Sequence, residues 1–432
     1  MGIKILATAD LHLGRAASGL PEDAPERSTK YTWERLVGWS VQHKVHLLLL
    51  AGDIVDEENR YFEAIGSLQA GFERLEKEGI EVFLVAGNHD HGILSQIVDN
   101  NQYEHVHMLG SDGQWESRIF STGEQHVRIT GWSFTQKYVT EGPLESAGQI
   151  DHDRNTMTIG MLHGDTYTLD SKYAPLNPDR LADIPVAAWI LGHIHKPVEL
   201  SASDPYIAYT GSPHALNPGE PGMHGPLFIE IADKQIITTK RIPISPVRYE
   251  TITIPIDKSV DAERFRDLLS GELYQAARNL IPQLESVAYL IYDVILEGEN
   301  NSVEVIDNWK QQILDYDTEL ETGTSVYVRK VVNRVQPAVD NLEELAEQSS
   351  PVGKLAETML AIQRNRSTPF LDELIQDWIS NVKRVSEANV YHPLRKANRI
   401  PESQEKQARE YILGECNRLL GALLEQQKME KV

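Results

Sequence analysis

Apolar residues in the first 240 positions fall into short unbroken runs separated by amphipathic stretches. "IKILATA", "VHLLLLAGD" and "IEVFLVAGN" read as strands, because short apolar runs bounded by Gly, Asn or Asp are too brief for helices. Between them, Ser28 to His43 places Trp33, Leu36, Val37 and Trp39 to Val41 at helical spacing, and Tyr61 to Lys77 repeats the pattern. Further strands are predicted at "VRITGWSF", "MTIGMLHG", "AAWILGH", "YIAYTGS", "LFIEIA" and "QIITTKRI". Continuous rather than alternating apolar strands imply sheets covered on both faces. The expected fold class is α/β, a layered domain over residues 1–245.

The segment "IPISPVR" (242–248) carries two prolines and reads as a linker. After it come a strand at "YETITIPI", a helix over Asp261 to Leu280, a strand at "VAYLIYDVILEG", a helix around Val303 to Leu314 and a strand at "TSVYVRKVV". These make a small α+β domain over residues 249–335. From Gln336 the pattern is helical to residue 432, with Tyr411, Ile412, Cys416, Leu419, Leu420, Leu423 and Leu424 on one stripe. Such a stripe suits either the protein's own core or a partner's groove.

Composition narrows the class. A chain of 432 residues exceeds one ordinary core. The longest apolar run, "VHLLLL", falls well short of the roughly 18 residues of a membrane span. The first strand leads directly into Asp10 and His12 rather than a cleavage site, and Leu6 occupies the position where myristoylation needs Ser or Thr. One cysteine, Cys416, excludes an internal disulfide framework and a thiolate zinc site. A cytoplasmic protein without membrane association is expected. The net charge is -23, and the acid is unevenly spread. Residues 336–432 hold 13 Lys+Arg and 15 Asp+Glu, which leaves 28 against 49 for residues 1–335. Bulk electrostatics alone would not hold nucleic acid on such a surface. Lys383, Arg384, Arg395, Lys396 and Arg399 are the single basic concentration along the sequence, suited to DNA, an acidic partner or solvent.

The candidate chemistry lies where the strands end. Five of them deliver metal-ligand residues just past their carboxyl ends: "ATADLH" (Asp10, His12), "AGD" (Asp53), "AGNHD" (Asn88, His89), "MLHG" (His163) and "LGHIH" (His193, His195). Ligands bind at the carboxyl ends of strands in open α/β sheets. Any one cluster fits a turn or a satisfied core histidine, but five in one chain point to metal. Carboxylates, one amide and imidazoles without thiolates suit Mn²⁺, Fe²⁺ or Zn²⁺ better than Ca²⁺. Seven ligands exceed one site that leaves room for water, and fit two adjacent metals with a bridging carboxylate.

In this order the motifs D-x-H, G-D, G-N-H-D, H and G-H-x-H resemble those of the calcineurin-like metallophosphoesterases, across residues 10 to 195. "ADLHLGR", "GNHD" and "YTGSP" (209–213) make the chain similar to the SbcD-type DNA repair exonucleases. "DEENRYFEA" and "HALNPGEPGMHGP" depart from the best-known SbcD proteins and look closer to the YhaO-like branch. The resemblance implies two divalent metals, with manganese the first choice. Asp10, His12, Asp53 and His195 would hold one metal, and Asp53, Asn88, His163 and His193 the other. A hydroxide between them would be the nucleophile, and His89 would protonate the leaving oxygen or steady charge on phosphorus. Arg15, Asp56 and Asp90 are expected to meet substrate or orient the site. His214 is read as part of a turn.

The resemblance further implies a capping domain at 249–335 and a partner-binding region at 336–432. The expected function is a metal-dependent DNA nuclease in repair or recombination. DNA, an SbcC-like coiled-coil ATPase and a second copy of the chain are the partners this reading allows. Two alternatives use the same core: a phosphatase or small phosphodiesterase, and a non-catalytic assembly scaffold. Glu57 and Glu58 stand where Ser/Thr phosphatases carry a phosphate-gripping arginine, which weighs against the first. No ligand position is lost, which weighs against the second.

Overall fold

The computed structural model describes every residue except 1, 57–60, 151–155, 301–308, 310–311, 340, 388–403 and 430–432. The chain forms two compact units, Met1–Thr251 with Gln275–Asp293 and Tyr316–Arg329, and Ile252–Tyr274 with Val294–Asp315 and Lys330–Val432.

In the first unit, β1 (Ile3–Thr8), α1 (Thr29–Gln42), β2 (Leu47–Ala51), α2 (Tyr61–Lys77), β3 (Glu81–Val85), α3 (Leu94–Asn101) and β4 (Val106–Met108) follow the α/β alternation. Next come β5 (Glu116–Thr122), β6 (Gln125–Gly131), β7 (Met157–His163), α4 (Pro178–Asp183), β8 (Ala188–Gly192), β9 (Val198–Ser201) and β10 (Tyr206–Tyr209), then β11 (Leu227–Ala232) and β12 (Gln235–Arg241). They make two six-stranded sheets in the orders β12-β11-β1-β2-β3-β4 and β5-β6-β7-β8-β10-β9.

Alternate residues of the same strands enter different cores, as the two-residue period of a strand requires. Leu6, Leu48, Leu50, Val82 and Leu84 pack with Leu36 of α1, Leu68 and Phe72 of α2 and Ile97 of α3. Their neighbours Ile5, Ala7, Leu47, Leu49, Phe83 and Val85 meet Ile129, Ile159, Met161 and Ile190 of the second sheet. The far face of the second sheet is closed by Trp115, Trp132, Leu144 and Leu181 over Leu162, Trp189 and Leu191. The layers thus run helices, sheet, sheet, loops and short helix. Strands β1, β2 and β3 are mutually parallel, as are β7 and β8, so each group ends together.

Sequence patterning missed β4, β5, β9, α3 and α4, and also the three-residue strand Asp317–Glu319. The edge strand β5 shows why, since Ile119 is 54% exposed and the strand buries little. The proline segment is not an exposed linker. Ile242, Ile244, Ser245 and Val247 are buried, and the Ile242 N–H donates to the Pro226 carbonyl at 2.9 Å.

β13 (Val247–Ile256), α5 (Ala262–Leu280), β14 (Tyr289–Asn300), β15 (Asp317–Glu319) and β16 (Ser325–Pro337) follow, with a four-stranded sheet in the order β13-β14-β16-β15. Most of the helix expected at Val303 to Leu314 lies outside the described residues.

The second unit ends in α6 (Leu342–Ala346), α7 (Pro351–Gln363), α8 (Pro369–Ser386) and α9 (Glu405–Met429). Ser350 and Thr368 cap α7 and α8, accepting from the N–H groups of Gly353 and Leu371. The α9 stripe packs largely inward: Ala408, Ile412, Cys416 and Leu420 are buried against Val352, Ala356, Met359, Leu371 and Ile375. Tyr411 and Leu419 instead face outward, 55% and 43% exposed. Of the basic concentration, Lys383 and Arg384 lie in the last turn of α8, while Arg395, Lys396 and Arg399 lie outside the described residues. Among the described residues no helix is long and apolar enough to cross a membrane.

This packing separates two adjacent leucines of α9. Leu420→Ala should destabilise the helical region by about 2–5 kcal/mol, and Leu419→Ala by less than about 0.5 kcal/mol. Urea unfolding followed by circular dichroism measures both, and equal losses would contradict the inward-packed stripe.

Candidate metal centre

The loops after β1, β2, β3, β7 and β8 bring the strand-end clusters together. Asp10, His12, Asp53, Asn88 and His163 are all buried, at 4% exposure or less. The ligand atoms of Asp10, His12 and His195 lie within 4.8 Å of one another, as do those of Asp10, Asp53 and His163. Asp53 Oδ2 is 3.3 Å from His163 Nε2 and 3.8 Å from His12 Nε2, so it sits between imidazoles of both sheets. His193 stands beside His163 with ring centroids 5.4 Å apart, and its backbone N–H donates to both Asp10 oxygens at 3.0 and 3.1 Å.

Holding these groups so close strains the backbone. Asp10, His12, Asp53 and His193 are four of the eleven non-glycine residues with positive φ among those described. Such conformations cost about 1–3 kcal/mol each and persist where the surroundings impose them. Two glycines permit the approach. A Cβ at Gly87 would lie 2.2 Å from Asp53 Oδ1, and one at Gly52, where φ is +88°, would lie 2.5 Å from His163 Nδ1.

Hydrogen bonds fix which atoms face inward. His163 Nδ1 lies 3.0 Å from the Ala51 carbonyl, which accepts its proton and leaves the Nε2 lone pair toward Asp53. His195 Nδ1 likewise donates to Glu220 Oε1 at 2.9 Å, directing Nε2 toward His12 Nε2 3.1 Å away. Asp90 joins the two acidic loops: Oδ2 accepts from the Ile54 N–H at 2.6 Å and Oδ1 from the Gly87 N–H at 2.7 Å. Asp56 is buried, paired with Arg15, and 3.7 Å from His12 Nδ1. It also forms a cluster with His12 and His89. His89 is half-buried, donates its backbone N–H to Asp53 Oδ1 at 2.8 Å, and meets His12 edge-on at 5.1 Å. His214 is buried, with Nδ1 2.7 Å from Thr32 Oγ1.

Carboxylates and imidazoles share charge here: burial opposes it, but Asp53 and then Asp10 raise the His163 imidazole to about 9. Burial pushes the Asp10 carboxyl up to about 6, against the pull of His163 and His195. Burial and then the nearby Asp53 charge push Asp90 to about 7. Burial opposes ionisation of Asp53 too, but the charges of His163, His12 and His89 hold it below the ordinary carboxylate range. Burial drives His193 down to about 4.

The residues fit divalent metal. The donor set is oxygen and imidazole nitrogen, and two of its atoms, Asn88 Oδ1 and His163 Nε2, are buried without a hydrogen-bond partner. Buried polar atoms are rarely left so unless something else satisfies them. His12 and His195 present ring nitrogens to each other at a spacing suited to one shared cation.

Glu220 was missed by the sequence reading. It is 5% exposed, and beyond its bond to His195 it accepts from Leu216 N–H at 2.8 Å, Ser212 Oγ at 3.1 Å and Asn217 Nδ2 at 2.8 Å. Its setting, "NPGEPG", reads as turn, and no spacing rule ties it to "GHIH". Carboxylates that accept from a ligating imidazole fix its tautomer and orientation.

Residues 3–197 match the family model of the calcineurin-like phosphoesterases, and all seven candidate ligands lie within that span. This part of the chain is a calcineurin-like metallophosphoesterase domain. Over 242 residues the chain is 31% identical to the uncharacterized metallophosphoesterase YhaO of Bacillus subtilis, covering 54% of this chain and 59% of that one. It is 23% identical over 251 residues to the DNA double-strand break repair protein Mre11 of Methanopyrus kandleri, covering 54% and 51%. The matched stretches thus span between half and three-fifths of these relatives. Among solved structures, the calcineurin-like phosphoesterase YfkN of Bacillus subtilis is 13% identical, covering 66% of this chain and 98% of that one with a TM-score of 0.37.

Glu220→Ala should weaken Mn²⁺ binding about 10- to 100-fold, with Glu220→Gln, which can still accept from His195, losing less. Titration calorimetry reads both, and unchanged affinity in Glu220→Ala would remove the orienting role.

Proposed function

We propose that the chain is a metal-dependent DNA nuclease, acting in repair or recombination with an SbcC-like coiled-coil ATPase. The observation that carries this reading is the buried carboxylate–imidazole centre with partnerless ligand atoms, placed within a metallophosphoesterase domain. The DNA substrate draws support from the Mre11 relatives, which are DNA double-strand break repair proteins by name.

In this reading Asp10, His12, Asp53 and His195 would hold one divalent cation, and Asp53, Asn88, His163 and His193 the other, with manganese the expected metal. Bound metal supplies Lewis acidity toward the phosphate and a nucleophile drawn from water. The chain's own groups do the rest. Glu220 keeps the His195 proton on Nδ1, and the Ala51 carbonyl does the same for His163. Asp90 locks the loops that carry Asp53 and Asn88. His89, half-buried beside His12, would in this reading give a proton to the departing ester oxygen. Arg15, whose side chain is 30% exposed and anchored by Asp56, would meet a phosphate oxygen.

The partner face is assigned to the helical unit, where Phe370, Val385, Tyr411 and Leu419 remain exposed. Deleting α9 would not test it cleanly, because α9 also supplies core residues. A non-catalytic scaffold would have no use for buried ligand atoms without partners.

Cleavage of end-labelled DNA with Mn²⁺ tests the assignment. Asp53→Ala should abolish cutting together with metal binding. His89→Ala should retain metal while losing about 10²- to 10⁴-fold in kcat. A His89→Ala protein that cuts at the wild-type rate would end the acid role, and a wild type that cuts a simple diester but no DNA would end the nuclease reading.

A further inference from the structure

We propose that Tyr138, Lys172 and Tyr173 form a stacking platform for one unpaired nucleobase at the edge of the metal centre. The inference rests on the DNA reading and narrows it, toward strands that are single or frayed where they are cut.

The platform starts at a candidate ligand. The Tyr173 ring lies 5.1 Å from the His193 ring, tilted by 39°. Tyr138 continues outward, its ring 5.8 Å from that of Tyr173. Lys172 Nζ sits 4.1 Å from the Tyr138 centroid and 5.3 Å from that of Tyr173, so one cation serves two rings. Tyr138 is 46% exposed, and Tyr167, on the same loop as Tyr173, is 64% exposed.

These rings stand on fixed backbone. The Val139 N–H donates to the Lys172 carbonyl and the Ala174 N–H to the Val139 carbonyl, both at 2.8 Å, which ties the two loops into a short parallel bridge. The Asp165 N–H donates to the Tyr173 carbonyl at 3.1 Å, linking the platform to the loop that follows His163. Ala174 holds a φ of +47°, a conformation kept only where its surroundings enforce it. Platforms ordered beforehand lose less entropy on binding.

Single exposed aromatics are ordinary. Exposed rings beside a cation are what proteins use to hold single strands without reading sequence, and here they lead away from a candidate metal ligand. Charge favours the same conclusion. A chain of net charge -23 gains little from a duplex backbone, whereas stacking on a ring face does not depend on net charge. Lys172 adds one cation for the phosphate beside the stacked base.

The test uses the full chain with Mn²⁺ and matched single-stranded oligonucleotides. One set carries every base, and the other carries an abasic residue on either side of the bond that is cut. The wild type should prefer the base-bearing strand by about 5- to 150-fold in kcat/KM. Tyr138→Ala should bring that ratio close to one, and Tyr138→Phe should keep it. 2-Aminopurine at the same position should be quenched on binding to the wild type and Tyr138→Phe but not to Tyr138→Ala. Equal cutting of both strands by the wild type, or undiminished preference in Tyr138→Ala, overturns the platform while leaving the nuclease intact. Failure of the wild type to cut either strand overturns the DNA reading, and the platform with it.

Discussion

Burial of negative charge where two sheets end together is the constraint on which the rest of the structure depends. Asp10, Asp53, Asp56 and Asp90 are each 2% exposed or less. Removing carboxylates from water costs several kcal/mol apiece unless charge and hydrogen bonds compensate. Backbone donors supply part of that compensation, from His193 to Asp10, His89 to Asp53, and Ile54 and Gly87 to Asp90. Arg15 neutralises Asp56. What remains at Asp10 and Asp53 is shared with imidazoles, and against its own burial His163 is raised to about 9 by Asp53 and then Asp10, a role that divalent cations would take over when bound. Positive φ at four candidate ligand positions and glycines at 52 and 87 accompany this close packing.

Much of this was legible in the sequence, because metal chemistry depends on residue types that strand-end position makes conspicuous. Asp10, His12, Asp53, His163 and His195 meet as their strand-end positions suggested. Parallel strands deliver their termini to one edge, so order along the chain becomes proximity in space. Glu220 was not legible, since its role rests on a loop folding back to His195 from 25 residues away. The platform tyrosines were hidden for the same reason, being joined only by a bridge between residues 139 and 173. The α9 stripe could have faced either way. Its period was plain, but which residues it covers depends on α7 and α8 packing in three dimensions. The proline segment misled because local composition says nothing about what packs on it.

The metal centre and the features that would select a substrate have different origins in the fold. The candidate ligands stand on the ends of core strands, where both sheet faces are packed and positions are fixed. Tyr138, Tyr173 and Arg15 stand on loops, which can vary without disturbing those strands. A common core can therefore serve different esters, and sequence identity in the core alone leaves the substrate to be established at the loops.

Anomalous diffraction from crystals grown with Mn²⁺, collected above and below the manganese edge, tests the central claim most directly. Two manganese peaks about 3.5–4 Å apart, bridged by Asp53 and in contact with Asn88 and His195, are predicted. A single peak, or two peaks that leave Asp53 and Asn88 without metal, would contradict the account.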